Sequence, residues 1–291
     1  MKINYFETGI AFFNHGDYKR AVEFLTKFIA ENPEHSEAYE NRAIAYYHLN
    51  EDDKAIEDLN KAIEIDPQNE NALINRGLHY FEKKDYDQAL DNYLVAYEIY
   101  NSLETLKNII DAYMQKGYYH PAKPFCKRFL NASPNDKWAI RAYADIHAMT
   151  NNYEEAIEYY NKILKHEPAN SEILNAIGYY YMKLGDLDQS EFYYKTAIQY
   201  DSEYAYPVNN WGHLEYLRKN YYKALELINK SIKIDPSNSF AFKNRALVYL
   251  AEGDREAAYE DLIYAEELGF KDYWGDEVDD LIRDNFSNET Q

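Results

Sequence analysis

Five of the eight prolines in this chain, Pro33, Pro67, Pro134, Pro168 and Pro236, stand 34, 67, 34 and 68 residues apart. Proline stops a helix, so its return at multiples of one interval marks tandem copies of a single supersecondary unit. Such a unit cannot bury its apolar face alone and must stack on its neighbours. Counting from residue 2 gives eight units: 2–35, 36–69, 70–102, 103–136, 137–170, 171–204, 205–238 and 239–272, which use 271 of the 291 residues.

Within each unit the pattern predicts two antiparallel helices. Small residues recur where the two must approach closely, and larger apolar residues follow at helical spacing. In the first helix the close-approach position holds Gly9, Ala43, Gly77, Ala144, Gly178, Gly212 and Ala246, with Ile110 as the large exception. In the second helix it holds Ala21, Ala55, Ala89, Ala122, Ala156, Ser190, Ala224 and Ala258. Three residues after the first small position stands an aromatic ring in six units: Phe12, Tyr46, Tyr80, Tyr113, Tyr181 and Tyr249. Those rings absorb part of an unusual load of 32 Tyr and 13 Phe. Between the helices, Gly16, Asn50, Gly117, Asn151, Gly185 and Gly253 suit a left-handed helix stop. Asp17, Asp85, Asn152, Asp186, Asn220 and Asp254 follow them as expected N-caps.

These small, aromatic and proline positions resemble the tetratricopeptide repeat, and Tyr39-Glu40-Asn41-Arg42-Ala43-Ile44-Ala45-Tyr46-Tyr47 closely matches its first helix. The resemblance covers about nine tenths of the chain, in eight agreeing registers. It implies an all-α, right-handed superhelical solenoid of eight helix pairs. Departures are Asn101, Ser202 and Phe270 in place of the proline, His147 and Glu215 in place of the aromatic, and Pro121 with Pro124 in one second helix. Pro124 removes a backbone donor, so the fourth unit is expected to be irregular unless that helix begins late. Trp274, Val278, Leu281, Ile282 and Phe286 fall at helical spacing, so 273–286 reads as a capping helix over the last repeat. The tail 287–291 is expected to fray.

Composition excludes several functions. A formal charge of −20, from 51 acidic and 31 basic residues, opposes phosphate backbones and anionic membranes and favours partners of basic character. Lys83-Lys84 and Lys127-Arg128 are pairs, not a basic stripe. One cysteine, Cys126, rules out an internal disulfide and a cysteine zinc site. It occupies an inward position that elsewhere holds Leu25, Leu59, Ile228 or Leu262, so it reads as a small buried hydrophobe. The start lacks an apolar run of signal-peptide length and no 18-residue apolar stretch occurs, so a cytoplasmic protein is expected. There is no His-Glu-x-x-His, phosphate loop or Gly-x-Ser-x-Gly. Glu154-Glu155 and Asp279-Asp280 are adjacent and diverge on a helix, as solvated charge does. Neither catalysis nor a cofactor is expected. In a chain read as cytoplasmic, Asn131-Ala132-Ser133 and Asn288-Glu289-Thr290 are chance glycosylation matches.

Stacked pairs line an elongated groove with their first helices, which suits a peptide. Two residues before the small position of that helix stand Asn41, Asn75, Asn108, Asn210 and Asn244. Asparagine is a poor helix former, and its recurrence there suits amides that pair with the backbone of a bound peptide, a role the resembling family gives to this place. The alternative is that these amides satisfy neighbouring turns. Beside them Phe13, Tyr47, Phe81, Met114, Met149, Tyr179, Met182 and Tyr216 take phases that face either the groove or the next repeat. A clamp for chaperone-tail carboxylates, known in a subclass of the family, is not expected. Phe6, Ile10, Glu40 and Ile44 stand where it needs Lys and Asn, and Asp111 spoils the partial match begun by Lys107. The sequence thus reads as a monomeric adaptor for a protein or peptide. The alternative is a structural, self-associating subunit of a larger assembly.

Overall fold

The computed structural model describes residues 4–271 and 275–286. Among them the backbone forms seventeen α-helices and no strand, an all-α helical repeat solenoid. The first eight helices are α1 (Tyr5–Asn14), α2 (Tyr18–Glu31), α3 (Ser36–His48), α4 (Asp52–Ile65), α5 (Glu70–Glu82), α6 (Tyr86–Tyr100), α7 (Leu103–Gln115) and α8 (Tyr119–Ala132). They are followed by α9 (Lys137–Met149), α10 (Tyr153–Leu164), α11 (Ser171–Lys183), α12 (Leu187–Tyr200), α13 (Ala205–Leu217), α14 (Tyr221–Ile234), α15 (Ser239–Glu252), α16 (Arg255–Glu267) and α17 (Glu277–Phe286). The chain divides into two compact units, up to Ile146 and from His147, with the boundary inside α9. No helix among the described residues is long and apolar enough to cross a membrane.

Each turn from a first to a second helix passes through one left-handed residue. The expected Gly16, Asn50, Gly117, Asn151, Gly185 and Gly253 all have positive φ. The two turns without Gly or Asn force Lys84 (φ 62°) and Lys219 (φ 61°) into the same region. The geometry of the turn therefore prevails over a steric cost of about 1–2 kcal/mol per residue. Of the six expected N-caps, Asp17, Asp85, Asp186 and Asp254 accept backbone N–H bonds from Arg20, Gln88, Gln189 and Ala257 at 3.0–3.2 Å. Asn152 and Asn220 do not cap. Their amide nitrogens turn back to donate to Thr150 Oγ1 (2.8 Å) and Glu215 Oε2 (3.1 Å).

Close approach explains the small positions. A Cβ added to Gly77 would lie 2.4 Å from Tyr93 Cε1, and one on Gly178 would lie 2.7 Å from the Tyr194 ring. Both tyrosines are fully buried in the second helices that face those glycines. Opposite Leu59 and Leu262 the first helix carries Ala43 and Ala246, whereas opposite Leu25 it carries Gly9, where an added Cβ would lie 2.8 Å from Leu25 Cγ.

The fourth second helix does not begin late. α8 starts at Tyr119 and encloses Pro124. Pro121 falls in the first turn, where backbone N–H groups have no intrahelical partner in any case. Pro124 removes the single bond that would reach the carbonyl of exposed His120, which water can satisfy. Cys126 is buried, its Sγ 3.5 Å from the Ala139 carbonyl, and burial pushes its thiol up to about 12.

An arginine just before the small position ties each of three first helices to two second helices. Arg42 grips Asp58 with Nε and Nη2, both at 2.7 Å, and donates from Nη1 to Thr26 at 3.0 Å. Arg245 repeats the arrangement on Asp261 and Asn229, and Arg76 donates one bond from Nε to Asn92 and one from Nη1 to Asn60. A planar fork suits two acceptors sixteen residues to either side. At the C-terminal end α17 lays Val278 and Phe286 on Phe270 and the last helix pair. Trp274 and the tail 287–291 lie outside the described residues.

Candidate functional site

In the second unit the first helices stand side by side, and Met149 of α9, Asn175 and Tyr179 of α11, Tyr206 and Asn210 of α13 and Phe240 of α15 converge on one recess of about 570 Å3. Period-34 repetition brings them together, since Tyr206 and Phe240 occupy equivalent places in consecutive units. Tyr153 and Tyr180 complete the wall, stacked on each other at 5.6 Å and 14°. Glu277, the first residue of α17, reaches the same recess.

The asparagine row is placed differently from its sequence reading. Asn210 Nδ2 donates to Asn175 Oδ1 at 3.0 Å, and Asn244 Nδ2 donates to Asn209 Oδ1 at 3.1 Å. Each bond joins consecutive first helices, so these amides hold the wall in register. Asn244 is 4% exposed and presents no surface to a ligand. Asn41 Nδ2 is bound to the Glu37 carbonyl of its own helix at 2.8 Å. Asn75 and Asn108 are half-buried on α5 and α7.

The flanking side chains divide in the same way. Tyr179 is exposed in the recess beside Met149. Met182 on α11 and Tyr216 on α13 lie outside its lining, Tyr216 stacked on His213 at 5.7 Å. In the first unit Tyr47 and His79 share a hydrogen bond of 2.6 Å, Phe81 packs edge-on against Tyr86, and Phe13 packs against Tyr18. Met114 is half-buried on α7. Asn175, Tyr206 and Phe240 carry no marker in the sequence reading. The 34-residue recurrence of Asn175 with Asn209, and of Tyr206 with Phe240, was the available signal.

Charge around this wall is arranged closely. Lys243 is nearly buried, donates to Glu277 Oε1 at 3.0 Å, and lies 5.7 Å from the centre of the Phe240 ring. The Lys183 ammonium lies 5.4 Å from the centre of the Tyr179 ring. Burial, aided by the charges of Lys243 and Lys183, lowers the pKa of His213 to about 4, so the ring is neutral at physiological pH. In the first unit burial raises the carboxyls of Glu40 and Asp111 above their usual range.

Comparison with known proteins agrees with this architecture. The chain is 30% identical over 121 residues to the sol locus transcriptional repressor of Clostridium acetobutylicum, a match covering 40% of this chain and 38% of that protein. It is 22% identical over 135 residues to anaphase-promoting complex subunit 3 of Schizosaccharomyces pombe, covering 46% of this chain and 20% of that protein. These matches span well under half the length of either relative. Among solved structures, the C-terminal part of a TPR repeat-containing protein from Cytophaga hutchinsonii superposes with a TM-score of 0.65 at 17% identity, over 82% of this chain and 98% of that one. A tetratricopeptide repeat protein from Parabacteroides merdae gives 0.54 at 17% identity, over 84% and 97%. Tetratricopeptide repeat family models match residues 6–70, 113–178 and 171–204, together more than half of the sequence. The chain belongs to the tetratricopeptide repeat family.

Proposed function

We propose that this protein is a non-enzymatic scaffold or adaptor that holds a peptide or protein segment of a partner against the first-helix wall of its second unit. The recess of about 570 Å3 carries the proposal. It gathers exposed tyrosine rings and soft apolar groups from successive first helices, an anchor site of the kind that dominates interface energy. Asn210 and Asn244 keep that wall in register through their bonds to Asn175 and Asn209. The acidic balance of the sequence favours a partner of basic character.

The test is site-specific photocrosslinking in lysate of the source organism. A benzophenone amino acid is placed at Tyr179 in the recess or at Tyr222, which is 83% exposed on α14. A partner crosslinked from Tyr179 and absent from Tyr222 supports the groove. A partner trapped from Tyr222 alone moves binding to the outer helices and refutes the proposal.

A further inference from the structure

The same recess has a chemistry that selects its occupant. Its lining includes the rings of Tyr153, Tyr179, Tyr180, Tyr206 and Phe240, and among the described lining residues Glu277 is the one that carries charge. A second cavity of about 450 Å3 is lined by Glu172, Asp201, Tyr200 and Tyr204. The Tyr204 and Tyr206 rings touch at 5.6 Å, so they form a ridge between the two cavities. Every charged side chain among the described residues lining either cavity is therefore a carboxylate. The second unit as a whole carries 27 acidic and 14 basic side chains.

Aromatic faces carry negative charge density and attract an ammonium or guanidinium, most strongly where water is partly excluded. The chain's own lysines already use these groups. Lys243 is fixed on Glu277 Oε1 beside Phe240, and Lys183 lies over Tyr179. Glu277 Oε2 has no donor among the described residues, and the Glu277 side chain is 55% exposed. A half-exposed carboxylate that already accepts one ammonium, at the mouth of a cavity lined by tyrosines, complements a long side chain that is apolar along its stem and cationic at its tip.

We infer that the recess takes a lysine or arginine side chain of the bound segment, its stem between the tyrosine rings and its charge at the Glu277 carboxylate. The inference rests on the groove reading above and goes beyond it by naming the side chain that reads the ligand. The acidic cavity past the Tyr204–Tyr206 ridge extends the same preference to a second basic residue of the segment.

Methionine methyl labelling tests this on the full chain. The sequence has four methionines, of which Met149 lines the recess and Met114 lies in the other unit as an internal control. The 13C-methyl spectrum is titrated with acetylated, amidated pentapeptides of alanine with a central lysine, arginine, norleucine or glutamate. The expected result is a saturable shift of Met149, without one of Met114, at least fivefold tighter for lysine or arginine than for norleucine and absent for glutamate. Tyr179→Leu and Glu277→Gln should each weaken the lysine peptide severalfold, and Tyr179→Phe, which keeps the ring face, should not. Equal binding of norleucine and lysine overturns the cationic assignment while leaving a groove that binds apolar segments. Silence of Met149 toward all four peptides also overturns it, and photocrosslinking from Tyr179 then decides whether the groove reading survives.

Discussion

The contact between Gly77 and Tyr93 allows a quantitative test of how these helix pairs are held. A Cβ on Gly77 would meet Tyr93 Cε1 at 2.4 Å, Cδ1 at 2.7 Å and Cζ at 3.0 Å, against a favourable carbon separation of about 3.5–4.0 Å. Tyr93 is 1% exposed, so its ring cannot swing into solvent and the helices must part. Overpacking of this kind costs about 3 kcal/mol. The gain in helix propensity from Gly to Ala returns about 1 kcal/mol. Gly77→Ala should therefore destabilise by about 2 kcal/mol. Tyr93→Leu alone should cost about 2–3 kcal/mol by leaving a cavity. In that background Gly77→Ala becomes favourable by about 1 kcal/mol, because the clash is gone and the propensity gain remains. The chain already uses this pairing at Ala43 with Leu59 and at Ala246 with Leu262, each sixteen residues apart like Gly77 and Tyr93. Urea unfolding of the four proteins, followed by circular dichroism, should give a coupling energy of about 3 kcal/mol. Additivity of the two substitutions within about 0.5 kcal/mol would refute the steric account.

Three further outcomes follow from the same geometry. Lys84→Gly and Lys219→Gly should each stabilise by about 0.5–1 kcal/mol, since glycine relieves the left-handed cost and gives back only part of it as unfolded-chain entropy; an unchanged or lower urea midpoint would contradict this. Arg245→Met leaves buried Asp261 without its bidentate partner and should cost about 3 kcal/mol. Arg245→Lys should recover less than half of that, because an ammonium cannot grip Asp261 and Asn229 together; full recovery in thermal unfolding would show that charge alone matters. His213 has a pKa of about 4 when folded and about 6.5 when unfolded. Between these values the unfolded chain takes up a proton that the folded chain does not, so stability is complete above pH 6.5 and falls as pH drops toward 4, by up to about 3 kcal/mol. His213→Gln should flatten the pH dependence in that window, and a slope equal to the parent's would exclude His213 as its source.

The turns show how far local chemistry reaches. Gly16, Asn50, Gly117, Asn151, Gly185 and Gly253 announce a left-handed residue by type, whereas Lys84 and Lys219 adopt it only because the helix pairing around them demands it. Aspartate caps were legible because the donor is three residues away, as at Asp17 and Asp254. Asn152 and Asn220 looked equivalent, but Thr150 and Glu215 compete for their amides once the turn has formed.

By itself the sequence determined the repeating helix pair, because period, small positions and helix stops act over a few residues or recur at a fixed interval. For Tyr179, Asn210 and Met149 it left two readings open, a place on the groove or a contact with neighbouring turns or the next repeat. Only the tertiary structure decided which amides pair with each other, as Asn210 does with Asn175 and Asn244 with Asn209, and which rings enclose a cavity. Those outcomes depend on the stagger between consecutive first helices, which joins residues thirty-five apart where the repeat itself is thirty-four. The same holds for Glu277, since only the packing of α17 on the last helix pair brings a residue from beyond the repeats to the mouth of the recess.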